Sequence, residues 1–191
     1  MHNQEDARRR RHTRISKRTL YQRLLGAEFE ALPPVLRRFH SLPDGGRAAG
    51  SVVVHNGKGL LRHSAARLLK MPRAGTDVPV QLQVVPQGDS EVWIRHFGSQ
   101  CIVTRQWQAG DFLVEQAGPL QFVFRVSATQ KGLLFAFQYN SLCGVRLPTH
   151  TSLGVAATAT GRPDHWNIHV TMQAPLLGAV TTYSGDIYPL W

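Results

Sequence analysis

The chain has 191 residues, of which 42% are hydrophobic, and a formal net charge of +10. That length suits one well-buried domain rather than two, and that apolar fraction excludes a disordered chain. No stretch approaches the ~18 to 20 apolar residues of a membrane-spanning helix, and the polar, basic N-terminus lacks the apolar core of a secretory signal, so the cytoplasm is the expected compartment.

The charge is unevenly spread. Arg8, Arg9, Arg10, Arg11, Arg14, Lys17 and Arg18 face only Glu5 and Asp6 within residues 1–18, which leaves the rest of the chain with about half of the total. Residues 1–18 therefore read as a solvated, disordered arm ahead of one domain over residues 19–191. Contact with nucleic acid or an anionic membrane through residues 8–18 would follow from phosphate neutralisation. No aromatic and basic surface accompanies the arm, so it reads first as a tail.

Thr19 and Gln22 have capping-box spacing. Tyr21, Leu24, Leu25, Glu28, Phe29 and Leu32 then follow helical periodicity until Pro33 and Pro34 stop it. Pro34 opens a second short helix through Arg38, with Val35, Leu36 and Phe39 on its apolar side. A first strand is predicted over Ala49–His55. Gly57-Lys58-Gly59 reads as a turn, because it lacks the endings of phosphate-binding loops. Leu60–Lys70 reads as an amphipathic helix closed by Pro72.

From there the period is two. Strands are predicted over Val80–Val85, Glu91–Phe97, Gln100–Gln108, Asp111–Gln116, Leu120–Ser127, Gly132–Tyr139, Ser152–Thr160, His165–Gln173 and Ala179–Tyr188. The separators are short and turn-rich, which joins antiparallel neighbours, since parallel strands need a long crossover. The expected fold is α+β: a strongly curved antiparallel sheet or partly closed barrel of about nine or ten strands, with the N-terminal helices packed over one end.

Alternation sorts the faces. Trp166, Ile168, Val170 and Met172 share one. Leu133, Phe135, Phe137 and Tyr139 share another, and so do Cys101, Val103, Arg105 and Trp107. Arg95 lies between Trp93 and Phe97, and Glu115 follows Leu113 on its face. A charge on an aromatic face must snorkel, pair or bind something. Cys101 and Cys143 lie in apolar, strand-like context and read as buried, inert thiols.

Trp93-Ile94-Arg95-His96-Phe97-Gly98, Glu115 with Gly118-Pro119, Leu147-Pro148 and Pro175-x-x-Gly178 followed by Tyr183-x-Gly185 form a set. With the helical segments Leu20–Gly26 and Leu32–His40, this set resembles the family called domain of unknown function 4166 over about residues 19 to 190. The resemblance implies no assigned activity. Members of that family occur alone or behind a nicotinamide-dependent reductase-like domain, which makes a separate reductase-like protein one candidate partner.

The chemistry expected is that of a half-polar cavity. Trp93, Phe97, Trp107, Phe135 and Phe137 would line its apolar part, while Arg95, Glu115 and Tyr183 would orient a ligand. The leading reading is a module that binds a small amphipathic or lipid-like molecule. The alternative is an enzyme or accessory subunit acting with a separate reductase-like protein, with Glu115 or Tyr183 moving a proton. No cofactor and no metal is expected. His165 and His169 have zinc-helix spacing, but on a strand they stand roughly 13 Å apart, too far to share one ion.

Overall fold

The structure, a computed structural model, describes residues 18–57, 59, 71–175 and 177–191. All of the expected basic arm except Arg18, and the helix expected over Leu60–Lys70, lie outside the described residues, as does Lys58 of the turn read beside it.

The chain enters through helix α1 (Leu20–Leu25), opened by the capping box that the spacing predicts. The Thr19 backbone N–H donates to Gln22 Oε1 at 2.9 Å, and the Gln22 backbone N–H donates to Thr19 Oγ1 at 3.4 Å. The α-helix is shorter than its apolar periodicity. At Gly26 the backbone turns to φ 53°, a conformation open to glycine and strained for other residues, and Gly26–Ala31 continues as a 3₁₀ turn. Pro34 then begins α2 (Pro34–His40).

Eleven strands follow among the described residues: β1 (Arg47–Asn56), β2 (Gly75–Gln87), β3 (Ser90–Phe97), β4 (Gln100–Ala109), β5 (Phe112–Ala117), β6 (Leu120–Thr129), β7 (Gly132–Leu142), β8 (Val145–Arg146), β9 (Gly154–Gly161), β10 (Trp166–Ala174) and β11 (Gly178–Pro189). All described pairings are antiparallel, and ten strands close into a barrel. β1 pairs with both β2 and β11, β6 pairs with both β5 and β7, and the short β8 hangs from β7 outside the ring. No described helix is long and apolar enough to cross a membrane.

Closure has a direct consequence for the interior. About eight strands make a barrel whose lumen side chains can just fill, and diameter grows with strand number. Two further strands widen the lumen and leave a cavity. The helices plug one end of it. Leu20, Tyr21, Leu25, Phe29, Leu32, Val35, Leu36 and Phe39 are all buried in the common core. Helices of six and seven residues do not persist alone in water. Burial, at roughly 1.5–3 kcal/mol for each large apolar side chain, holds them on the barrel. At the other end Met71 and Pro72 are tied down by Gln100 and Asn56, whose amides donate to their carbonyls at 3.2 and 3.1 Å.

Three expectations about faces need correction. The Cys101, Val103, Arg105 and Trp107 face of β4 points outwards, and Ile102, Thr104 and Gln106 point into the lumen. Tyr139 leaves the face of Leu133, Phe135 and Phe137, because a bulge skips Gln138: Phe124 pairs with Phe137, but Val123 pairs with Tyr139. Cys101 and Cys143 are exposed rather than buried. Cys101 shares the outer face of β4, and Cys143 sits in the β7–β8 turn with φ 49°.

Candidate functional site

The lumen holds a partly open cavity of about 220 Å³ between the helical plug and the Met71–Pro72 end. Most of its lining is apolar. β9 and β10 contribute Val155, Ala157, Ala159, Trp166, Ile168, Val170 and Met172. The polar groups come chiefly from the other side, where β3, β4 and β5 run side by side.

Arg95 on β3 and Glu115 on β5 meet across the intervening strand β4. Arg95 Nη1 donates to Glu115 Oε1 at 2.9 Å and to Thr104 Oγ1 at 2.8 Å, and Thr104 Oγ1 donates to Glu115 Oε1 at 2.7 Å. Gln106, also on β4, hydrogen-bonds the same carboxylate and accepts from the Tyr21 hydroxyl at 3.1 Å. Each partner of the ion pair keeps 20% of its side-chain surface accessible, and both line the cavity. Burial alone would push the Glu115 carboxyl up. The Arg95 charge and the hydrogen bonds from Thr104, Arg95 and Gln106 outweigh it and hold the group below the ordinary carboxylate range. Burial likewise works against a charged Arg95, and Glu115 with Tyr183 keeps it protonated.

The guanidinium also sits over Trp93, 4.9 Å from the ring centroid. His40 of α2, towards the plug, also stacks on that indole, with 6.0 Å between ring centroids and 30° between the planes. His40 packs closer still against Tyr21, at 4.0 Å. Burial drives its imidazole down to about 3, so it is neutral at ordinary pH. Tyr183 of β11 occupies the other flank, edge-on to Phe97 at 5.3 Å. Burial raises its hydroxyl, partly offset by Arg95. Glycine stands two residues on, at 185, where a Cβ would strike the Ser51 carbonyl of β1. Strand β11 thus lies tight against its neighbour beside Tyr183.

The His40 ring, the Tyr183 hydroxyl, and Nε and Nη2 of Arg95 make no hydrogen bond among the described residues. Among the described residues no buried side-chain polar atom is sealed away without a partner. These groups therefore open onto the cavity. A cavity that presents two donors and an imidazole over an apolar floor can orient a small amphipathic molecule.

Of the eight residues expected at the cavity, Trp93, Arg95, Phe97, Glu115, Phe135 and Tyr183 line it. Trp107 instead borders a shallow outer groove with Arg105 and several glutamines. Phe137 stops short of the lining and packs edge-on against Phe124 at 6.2 Å. Sequence reasoning missed His40, Tyr21, Thr104 and Gln106. His40 closes a helix whose neighbouring positions are Arg37 and Arg38, so its context resembled a basic helix end. The isolated Thr104 and Gln106 looked like the polar outer face of a strand. Among the described residues no group of three His, Cys, Asp or Glu is placed to hold a metal ion.

No curated protein matches the chain. Among solved structures it is similar to a protein of unknown function from the DUF3598 family of Nostoc punctiforme, with a TM-score of 0.48 and 10% identity over 76% of this chain and 47% of that one. This chain thus spans about half the length of that structure. A family model described as domain of unknown function (DUF4166) matches residues 32–187, most of the barrel and the second helix, and the chain belongs to that family.

Proposed function

We propose that the barrel is a binding module for a small amphipathic molecule held inside its lumen. The observation that carries this reading is the pairing of a partly open, mostly apolar cavity with polar groups that find no partner among the described residues, the His40 imidazole, the Tyr183 hydroxyl and one edge of Arg95, and that open onto it. A core built only for stability would fill such a space or leave its lining apolar.

The size of the cavity bounds the ligand. A dry cavity of about 150 Å³ accommodates benzene, so 220 Å³ encloses a body of about nine non-hydrogen atoms. A monocyclic compound or a short-chain molecule fits whole. A long-chain lipid would be enclosed only at one end.

The titratable groups favour binding over proton transfer. A general acid or base works best with a pKa near the operating pH. Around the cavity His40 is pushed to about 3, Tyr21 and Tyr183 are pushed up, and Glu115 is held down by its arginine. Among the described residues Glu91 is the carboxyl whose pKa is raised overall, by burial, and it caps the Leu20 backbone N–H and accepts from the Trp93 indole at 3.1 Å rather than lining the cavity.

Native mass spectrometry of protein purified without detergent, followed by organic extraction, tests the reading. A stoichiometric small molecule on the folded protein is expected. Folded protein that comes through empty, and stays empty after incubation with a library of small amphiphiles, would sink it.

A further inference from the structure

The charge balance of the lumen narrows the ligand class. Arg95 and Glu115 are the charged side chains among the described residues that line the cavity, and they neutralise one another at 2.9 Å. Glu115 is already engaged by Arg95, Thr104 and Gln106. A carboxylate or phosphate would bring a second anion to a guanidinium that is already matched. An ammonium would have to displace three donors from the carboxylate. Either ligand would leave one buried charge uncompensated, the costliest arrangement an interior can hold.

A hydrocarbon fails for the opposite reason. It would cover the Tyr183 hydroxyl and the free edge of Arg95 and offer them no acceptor. What those groups lack is an oxygen with lone pairs. Nε and Nη2 of Arg95 can only donate, and Tyr183 can donate in its protonated form. On the plug side, neutral His40 has one donor and one acceptor nitrogen, neither engaged by a described residue. Along β3 the order from plug to far end is Trp93, Arg95, Phe97, so the polar edge lies at mid-depth between two aromatic walls.

We infer that the cavity takes an uncharged molecule of about nine non-hydrogen atoms whose carbonyl-type oxygen accepts hydrogen bonds from Arg95 and Tyr183 while its apolar body lies against β9 and β10. This rests on the binding reading above and adds the chemical class of the ligand.

Four commercial probes of nearly equal size separate the classes: acetophenone (neutral carbonyl), benzoate (anion), benzamidine (cation) and ethylbenzene (hydrocarbon). Each is titrated at pH 7 into the full chain labelled with nitrogen-15, with affinity read from amide shifts of residues around the lumen. Acetophenone is expected to bind about tenfold more tightly than each of the other three. The Tyr183→Phe variant is expected to lose roughly fivefold in acetophenone affinity and to keep its ethylbenzene affinity.

Benzoate or benzamidine binding as well as acetophenone would overturn the neutral class and leave the binding reading standing. Ethylbenzene binding as well as acetophenone, or equal losses for both in Tyr183→Phe, would overturn the hydrogen-bonded oxygen in the same way. If none of the four probes shifts lumen residues in a folded protein, the class inference and the cavity-binding reading both fail.

Discussion

The lumen has two opposed walls built on different principles. β4 and β10 lie five strand steps apart in either direction around the ring, so they face one another across it. The β10 side, with β9, presents branched, thioether and indole side chains that need only volume and shape to match. The β4 side, with β3 and β5, presents a network in which every member depends on another: Arg95 and Thr104 hold Glu115, Gln106 links it to Tyr21, and Trp93 supports the guanidinium. An apolar wall degrades gradually when it is trimmed. A polar network fails abruptly, because removing one member leaves its partner buried and unsatisfied.

The largest effect should come from breaking the network from one side. Arg95→Ala leaves the Glu115 carboxylate without its cation and should lower stability by about 3–5 kcal/mol. The double variant Arg95→Met, Glu115→Gln removes both charges and should cost less than that single change. Urea denaturation of the two variants checks the order, and a double variant worse than Arg95→Ala would show that the wall is not held by the pair. On the opposite wall, Met172→Ala should cost roughly 2–5 kcal/mol and fall towards the lower end, because that side chain already borders open space. A loss above that of Arg95→Ala would reverse the contrast between the walls.

The smallest effect is one of slope and concerns His40, at the plug end of the polar side. Its pKa drops from 6.5 to about 3 on folding, so the unfolded chain binds the proton more readily. Its burial carries no penalty above about pH 6.5, and stability is lost as pH falls towards 3, by at most ~1.4 kcal/mol per pH unit. Glu115, held low, adds to the loss only below its ordinary range, whereas Glu91, raised by burial, opposes it. His40→Phe keeps a ring against Tyr21 and Trp93 and removes the histidine contribution. Subtracting its stability curve from that of the natural chain between pH 6.5 and 5 should isolate that slope, and parallel curves would refute a buried neutral imidazole.

The same contrast explains what could be read from residues alone. The apolar wall follows the ordinary rule, and alternation alone puts Trp166, Ile168, Val170 and Met172 on one face. From β2 to β7 and from β9 to β11 the neighbours also follow from short, turn-rich links, because each such link lays the next strand antiparallel beside the last. The polar wall broke the rule. On β4 the outward face carries Val103 and Trp107 and the inward face carries Thr104 and Gln106, so hydrophobicity pointed the wrong way. Alternation separates two faces but does not say which is inside. That is decided by Glu115, whose carboxylate needs donors from the strand between it and Arg95. Phe137 and Tyr139 illustrate a second limit, since one skipped residue shifts the register and no local composition marks it. His40 reaches the cavity only because a helix folds back over the barrel mouth, a long-range placement that periodicity does not encode.

The seam that closes the ring joins β1 to β11, from Ala48 opposite Pro189 to Asn56 opposite Thr181. These partners are separated by most of the chain, so this pairing carries the greatest loop-closure entropy in the molecule. During synthesis β1 emerges early and waits with one edge unpaired until the β11 segment leaves the ribosome. The Arg95–Glu115 contact spans twenty residues and three consecutive strands, and it can assemble long before that. The polar wall is therefore a local product of the growing meander, while the enclosed lumen, and with it any shelter from water, comes into being only when the final strand docks.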